Sequence, residues 1–374
     1  MSKSVIIDGV RSPIGINKGK MIGMRSDDLS SEVLKELVKR SAIDKNLYEN
    51  FVLGCAFPEG TQGMLMAKGV GILADLPETL AGSVVNRFCG SAMDAVHQIS
   101  TAIETKDIAC GIGGGVEDMF GVPMGGFNPM FHPELYEKEF YIGMGETAEN
   151  LANELSISRE DQENFAIASH EKALKAQSEG KFNNEIISIN FNDNDIGKDE
   201  GPRTPNIEKI KSLDPAFDVN GTITAATSSP ISIGAAMISL MNENKANEMG
   251  LKPKFRILSR SLAGVDWKTM GSGPLPATEK ALKNAGMNMS DIDYIELNEA
   301  FAAQSLYVIR KGQWDESKIN INGGAIALGH PLGCSGARIL ITLMNVLEQN
   351  NGSIGLATMC IGTGQGIATI IERI

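Results

Sequence analysis

Three side chains with the means to do covalent or proton chemistry stand where the chain turns. Cys89 lies in Val-Asn-Arg-Phe-Cys-Gly-Ser-Ala-Met-Asp-Ala-Val-His-Gln-Ile. There an extended apolar stretch turns through small residues into a helix with Ala92, Ala95, Val96 and Ile99 on its inner face. A thiol at a helix N-terminus meets unpaired N–H groups and the positive end of the macrodipole, which favour thiolate and make it a candidate nucleophile. The plainer reading is the small buried hydrophobe that most free cysteines are. His330, one of only four histidines, stands in Asn-Gly-Gly-Ala-Ile-Ala-Leu-Gly-His-Pro-Leu-Gly-Cys-Ser-Gly-Ala-Arg. Glycines permit close approach of backbone to a ligand and proline fixes the chain direction after the imidazole; a core histidine satisfied by backbone is the alternative. Cys360 precedes Ile-Gly-Thr-Gly-Gln-Gly, a strand-to-turn junction whose N–H groups can converge on a negative centre. Asn298-Glu299-Ala300-Phe301 ends a strand on a polar pair. No G-x-G-x-x-G follows the first strand, so the glycine-rich turns do not form a dinucleotide site.

The elements that must hold these residues come in duplicate. Adding 245 to a number in the first third reaches a matching element in the last third. Leu34 to Ser41 falls on Glu279 to Gly286, and Phe51 to Phe57 on Glu296 to Ala302. Cys89 to Ala92 falls on Cys334 to Ala337, and Cys110 to Gly115 on Gly355 to Cys360. One offset serving four segments in the same order indicates two α/β halves, residues 1–248 and 249–374, with short apolar runs alternating with amphipathic helices. From about Glu117 to Asp218 the chain is richer in Pro, Asn, Met and charge. It carries one clear helix from Arg159 to Glu179, capped by Ser158 with Asp161 at its third position. The rest of that inserted stretch reads as loop, the usual place for a lid or binding surface.

Bulk properties narrow the function classes. At 374 residues two or three domains are expected. A net charge of −12 argues against nucleic-acid or anionic-membrane partners but leaves room for a local basic patch that holds a phosphorylated ligand. Five scattered cysteines without a C-x-x-C pair predict neither a disulfide framework nor a metal site, and point to a reducing compartment. The N-terminus enters a strand almost at once, leaving no room for a leader, so cytoplasm is expected. Two uncharged stretches, Val219 to Asn242 and Gln349 to Ile371, are too rich in Gly, Ser and Thr for membrane spans and are expected to be buried strand–turn–helix core.

The joint pattern NRFCGSA, GTITAATSSP, NEAFAAQ, GGAIALGHPLGCSGAR and CIGTGQG closely resembles the thiolase family, from the opening VIIDGVRSPIG to the terminal ATMCIGTGQGIATIIERI. The resemblance implies an α/β fold with a five-layered αβαβα core from two duplicated halves and an inserted loop domain. It implies an acyltransferase with Cys89 as the acylated nucleophile, activated by His330, and Cys360 as the acid/base at the α-carbon. Asn298, through a water, and His330 would form one oxyanion hole, and the N–H groups of Cys89 and Gly362 a second. Ser229 and Met144 match positions lining the pantetheine and acyl channel. No cofactor is implied beyond coenzyme A as co-substrate.

The last two motifs look like the degradative branch, the thiolytic subunit of bacterial fatty-acid oxidation complexes. Ala226-Thr227-Ser228-Ser229 replaces the GNAS usual in biosynthetic acetyl-CoA acetyltransferases, the rival reading, and the insertion between Gly121 and Gly143 also differs. A homodimer or dimer of dimers is implied, as is a hydratase/dehydrogenase partner subunit. A non-catalytic acyl-CoA-binding protein is disfavoured by the presence of all four polar site residues.

Overall fold

Residues 3–374 are described by a computed structural model. The strands that position the site are β1 (Ser4–Arg11), β2 (Asn50–Gly54), β3 (Ala81–Val85), β4 (Cys110–Asp118) and β5 (Ser232–Asn242) in the first half. In the second half they are β6 (Phe255–Gly264), β7 (Tyr294–Leu297), β8 (Ile354–Ile361) and β9 (Gln365–Arg373). The order β7-β8-β9-β6-β1-β5-β4-β2-β3 is nearly palindromic about the β6–β1 contact, which is only two residue pairs long, Val5 with Arg256 and Ile6 with Phe255. β2 pairs in parallel with both β3 and β4, and β7 pairs in parallel with β8. A lone parallel bridge from Ile295 to Ile319 stands where β3 stands in the first half.

Helices α1 (Ser26–Ser41) and α2 (Met66–Leu73) cover the outside of the first sheet, and α6 (Pro274–Ala285) and α7 (Ala302–Gly312) cover the outside of the second. Between the sheets lie α3 (Ser91–Thr105) and α8 (Leu332–Gln349), packed on each other. This makes five layers, αβαβα, with three apolar seams. Leu34, Leu37, Phe51 and Met237 fill the first; Val96, Ile99, Ile238, Leu340 and Met359 the central one; Ala281, Leu297, Leu356 and Ile370 the third. β5 supplies two seams at once, Met237 and Met241 to one face and Ile238 and Leu240 to the other, the period-2 alternation of a strand buried on both sides. α3 buries Ala92, Ala95, Val96 and Ile99 as its spacing predicts.

The offset of 245 holds on the ground. To within one residue, α1 and α6 end alike on a left-handed residue, Ala42 at φ 53 and Gly286 at φ 66. β2 answers to β7, β4 to β8 and α3 to α8. The offset fails at β5 and β9 because β4 and β5 are separated by residues 119–231, whereas β8 and β9 are joined by a turn at 362–364. That insert is longer than its composition suggested. Residues 219–231, expected as buried core, are a loop, and only from Ser232 does the chain enter β5. The second uncharged stretch is likewise no strand–turn–helix but the antiparallel hairpin β8–β9. Among the described residues no helix is long and apolar enough to cross a membrane.

Within the insert, α5 (Arg159–Ser178) carries the expected capping box of Ser158 and Asp161. It is preceded by α4 (Met144–Glu154), whose apolar residues at 144, 148 and 151 lie one turn apart. A buried charge cluster anchors the insert. Arg11 of β1 reaches Glu185 at 2.8 Å and Asp199 at 2.7 Å, and Glu185 also accepts from Thr342 and Asn345 of α8. Removing one member of such a buried set costs about 3–5 kcal/mol, because the charge left behind has no partner.

Candidate active site

Cys89 sits in a single 3-10 turn, Phe88–Gly90, that leads directly into α3. Phe88 has φ 44, a left-handed conformation that costs a side-chain-bearing residue about 1–2 kcal/mol. The strain is held by three hydrogen bonds: the Phe88 N–H donates to Asn86 Oδ1 at 2.9 Å, Ser91 Oγ donates to the Phe88 carbonyl at 2.6 Å, and the Arg87 N–H donates to Ser91 Oγ at 2.9 Å. Gly90 lets the turn press on the end of β8, since a Cβ there would lie 2.6 Å from Ile361.

The Cys89 thiol is pushed up to about 11 by burial, and the N–H groups of Gly362 and of Cys89 itself pull the other way. Contrary to the sequence expectation, the helix start therefore does not leave a resting thiolate, because loss of water outweighs two N–H groups. Those N–H groups converge on the sulphur from opposite halves. Gly362 follows β8 and opens the tight turn Gly362-Thr363-Gly364, in which Thr363 and Gly364 both have positive φ.

Cys360, 1% exposed at the end of β8, belongs to an apolar cluster with Ala148, Leu151, Met270, Ala300 and Phe301, against which Met144 packs. Its thiol is raised by burial and further by the nearby Cys89. Met144 begins α4, and its sulphur lies 3.3 Å from where a Cβ on Gly362 would be.

His330 caps the approach to α8, the helix that packs against the Cys89 turn. Its ring is 3.4 Å from Asn298 Nδ2 through Nε2 and 2.6 Å from Ser335 Oγ through Nδ1, and the His330 backbone N–H donates to Ser232 Oγ at 3.1 Å. Burial and the cation of Arg338 hold it down to about 3, a neutral imidazole. Asn298, fully buried just beyond β7, donates its N–H to the Thr358 carbonyl. The half-buried Ser229 donates its N–H to the Ala300 carbonyl at 3.0 Å, so the loop 219–231 is pinned to the strand end that carries Asn298.

Two features of the neighbourhood had no residues assigned to them from the sequence. Glu117, buried at the end of β4, accepts from the N–H groups of Ala56 (2.7 Å), Phe57 (3.2 Å) and Gly333 (2.8 Å) and from Gln62 Nε2 (3.0 Å). It ties the first half to the start of α8, and its position as the first charge after a glycine-rich strand was the available signal. Beside the Ser229 loop lies a cavity of about 500 Å³ lined by His170, Arg203, Lys209, Ala225 and Ala226 among others, a local basic patch on an acidic protein.

Two sheets enclosing two central helices, with two cysteines, a neutral histidine and a buried asparagine gathered at their ends, define a duplicated α/β enzyme with a thiol at its centre. The chain belongs to the thiolase family: the family model for the thiolase N-terminal domain matches residues 4–244 and that for the C-terminal domain residues 251–373. It is 48% identical to a 3-ketoacyl-CoA thiolase of Acinetobacter baumannii, covering 99% of this chain and 98% of that one. It is 47% identical, at the same coverage, to a 3-ketoacyl-CoA thiolase of Psychrobacter cryohalolentis. Among solved structures it resembles the Bacillus anthracis acetyl-CoA acetyltransferase, with a TM-score of 0.93 and 36% identity over 100% of this chain and 99% of the other.

Proposed function

We propose that the chain is a 3-ketoacyl-CoA thiolase, an acyltransferase that uses coenzyme A to cleave a 3-oxoacyl-CoA into acetyl-CoA and a shortened acyl-CoA, the last step of fatty-acid β-oxidation. The observation that carries the reading is the meeting of Cys89, Cys360 and the Gly362 N–H at one place, with a neutral histidine just before the helix that packs on the Cys89 turn. The names of the relatives favour the degradative reaction over acetoacetyl-CoA synthesis.

In this reading His330 Nε2 takes the Cys89 proton and the thiolate attacks the 3-oxo carbon. The oxyanion so formed accepts from the N–H groups of Cys89 and Gly362, donors whose single removal typically costs about 3–4 kcal/mol. The bond between C2 and C3 then breaks, and the electron pair leaves as the enolate of acetyl-CoA. Its oxygen is held by the protonated His330 and, through a water, by Asn298. Cys360, kept as a thiol by burial, gives its proton to C2. The Cys360 thiolate then takes the proton of an incoming coenzyme A thiol, whose sulphur attacks the acyl-Cys89 thioester; the shortened acyl-CoA leaves, and the departing Cys89 thiolate recovers its proton from His330. Ser229 and Met144 line the pantetheine and acyl channel, and the basic cavity at Arg203 and Lys209 suits the phosphorylated end of coenzyme A.

A homodimer, alone or paired again, is proposed on the open edge of β3, flanked by exposed Met64, Leu65, Ile72 and Leu73. A hydratase/dehydrogenase subunit is a further proposed partner, and five free cysteines fit the cytoplasm. Thiolysis rates across a ladder of 3-oxoacyl-CoA lengths test the reading. Rates for medium or long chains should exceed the rate for acetoacetyl-CoA; a preference for acetoacetyl-CoA would favour the biosynthetic enzyme.

A further inference from the structure

We propose that Ser335 is the positioning residue that fixes the tautomer of His330, keeping the proton on Nδ1 and the lone pair on Nε2. The inference rests on the reading of His330 as the base toward Cys89.

Ser335 is fully buried in the first turn of α8. Its Oγ lies 2.6 Å from His330 Nδ1 and donates to the Pro331 carbonyl at 2.9 Å. A hydroxyl has one proton to give and a carbonyl can only accept, so once that proton goes to Pro331 the Ser335 oxygen must be the acceptor toward Nδ1. On the other side of the ring Asn298 Nδ2, a donor, lies 3.4 Å from Nε2. Protons therefore run one way, from Asn298 to Nε2 and from Nδ1 through Ser335 to Pro331, with three hydrogen bonds made.

The opposite tautomer has a ready trap. Asn298 Oδ1 is buried without a partner, and a half-turn of the amide would present it to an Nε2–H. Ser335 would then have to give its proton to Nδ1 and abandon Pro331, leaving one bond fewer. Removing the hydroxyl reverses that balance: Nδ1–H is left buried with no acceptor, while Nε2–H keeps Asn298 Oδ1. The ring would settle with its proton on the nitrogen that must take the Cys89 proton.

The repeat gives no guide to this residue. Position 335 answers to Gly90 in the first half, where no imidazole needs orienting.

The test has two arms. In protein labelled with ¹⁵N-histidine, whose four histidines are separated by comparison with His330→Asn, the native His330 should show a protonated, pyrrole-type Nδ1 and a bare, pyridine-type Nε2. Ser335→Ala should exchange the two, and Ser335→Thr, which keeps the hydroxyl, should restore the native pattern. In kinetics, Ser335→Ala should lower kcat about a hundredfold, with KM within about threefold. Alkylation of its Cys89 by iodoacetamide should need a higher pH than in the native protein. A native His330 with its proton on Nε2, or a Ser335→Ala protein that keeps the Nδ1–H tautomer, overturns the assignment. The tautomer is read without substrate, so its outcome is separate from whether the chain thiolyses 3-oxoacyl thioesters.

Discussion

Positions 115 and 360 occupy the same place in the two halves, at the end of the strand on which a central helix comes to rest, and they hold opposite residues. At 115 the residue is glycine, and a Cβ there would lie 1.9 Å from the Gly333 carbonyl oxygen. The start of α8, with His330 just before it, sits directly on the backbone of β4. At 360 it is cysteine, packed with Ala148, Leu151 and Phe301 and near enough to Cys89 for its thiol to be raised by it. The loops that follow differ in the same sense. After β4 the chain makes the long insert that supplies Met144, Ser229 and the basic cavity; after β8 it makes only the turn that presents the Gly362 N–H. Duplication thus supplied a frame symmetrical in strands and helices, and the division of labour lies in what each strand end carries. In the proposed mechanism the first half contributes the nucleophile, one N–H donor and the binding surface, and the second contributes the base, the second thiol, Asn298 and the Gly362 N–H.

The comparison breaks most visibly at Cys89 and its repeat-mate Cys334. Cys334 is 1% exposed and its thiol is raised to about 12 by burial. Cys89→Ala should lower thiolysis by about 10⁴-fold or more, and Cys334→Ala should stay within a few-fold of the native rate. Iodoacetamide at neutral pH should label Cys89 well before Cys334, with protection by an acyl-CoA. Equal labelling of the two, read by mass spectrometry, would remove the functional asymmetry.

Gly115→Ala comes next. Its methyl group meets backbone, which cannot step aside, so the expected loss is about 3 kcal/mol of stability, the upper part of the usual range for overpacking. Urea midpoints with an unchanged m-value would measure it. A loss below about 1 kcal/mol would mean that α8 can lift off β4 freely.

The smallest effect concerns His97, in the central layer, with Nε2 2.7 Å from Thr369 Oγ1 and a pKa held down to about 3 by burial. With the folded value below the unfolded one, the unfolded chain binds the extra proton, so this residue's contribution falls as pH drops below about 6.5. Between pH 7.5 and 5.5 His97→Gln should lose about 1 kcal/mol less stability than the parent. An identical pH dependence in the two would show that His97 is not held neutral.

Much of this arrangement was legible in the chain. The repeat marked β2, β4, α3 and their partners because glycines, small residues and apolar spacing survive duplication. Cys89, His330 and Cys360 stood out because each stands at a turn rich in glycine and small residues, and Asn298 because it ends a strand on a polar pair. Less legible was what the fold adds between distant segments. The resting state of Cys89 depends on desolvation by both halves, and no local motif reports that. Glu117 reads as a strand-end charge until Ala56, Phe57, Gln62 and Gly333 are seen to converge on it. The insert misled because its Gly, Ser and Thr, which lower hydropathy, also suit a loop packed over a site, so 219–231 looked like core.

The central claim is that the two thiols do different work, one carrying the acyl group and the other moving a proton at carbon. The most direct measurement uses Cys360→Ala mixed with acetyl-CoA in deuterated water, with the protein followed by mass spectrometry and the acetyl methyl group by NMR. Cys89 should still be acetylated, deuterium should no longer enter the methyl group, and thiolysis should fall by about 10³-fold or more. Deuterium entering at the native rate would contradict that claim, leaving Cys360 as a packing residue and assigning the α-proton to another group.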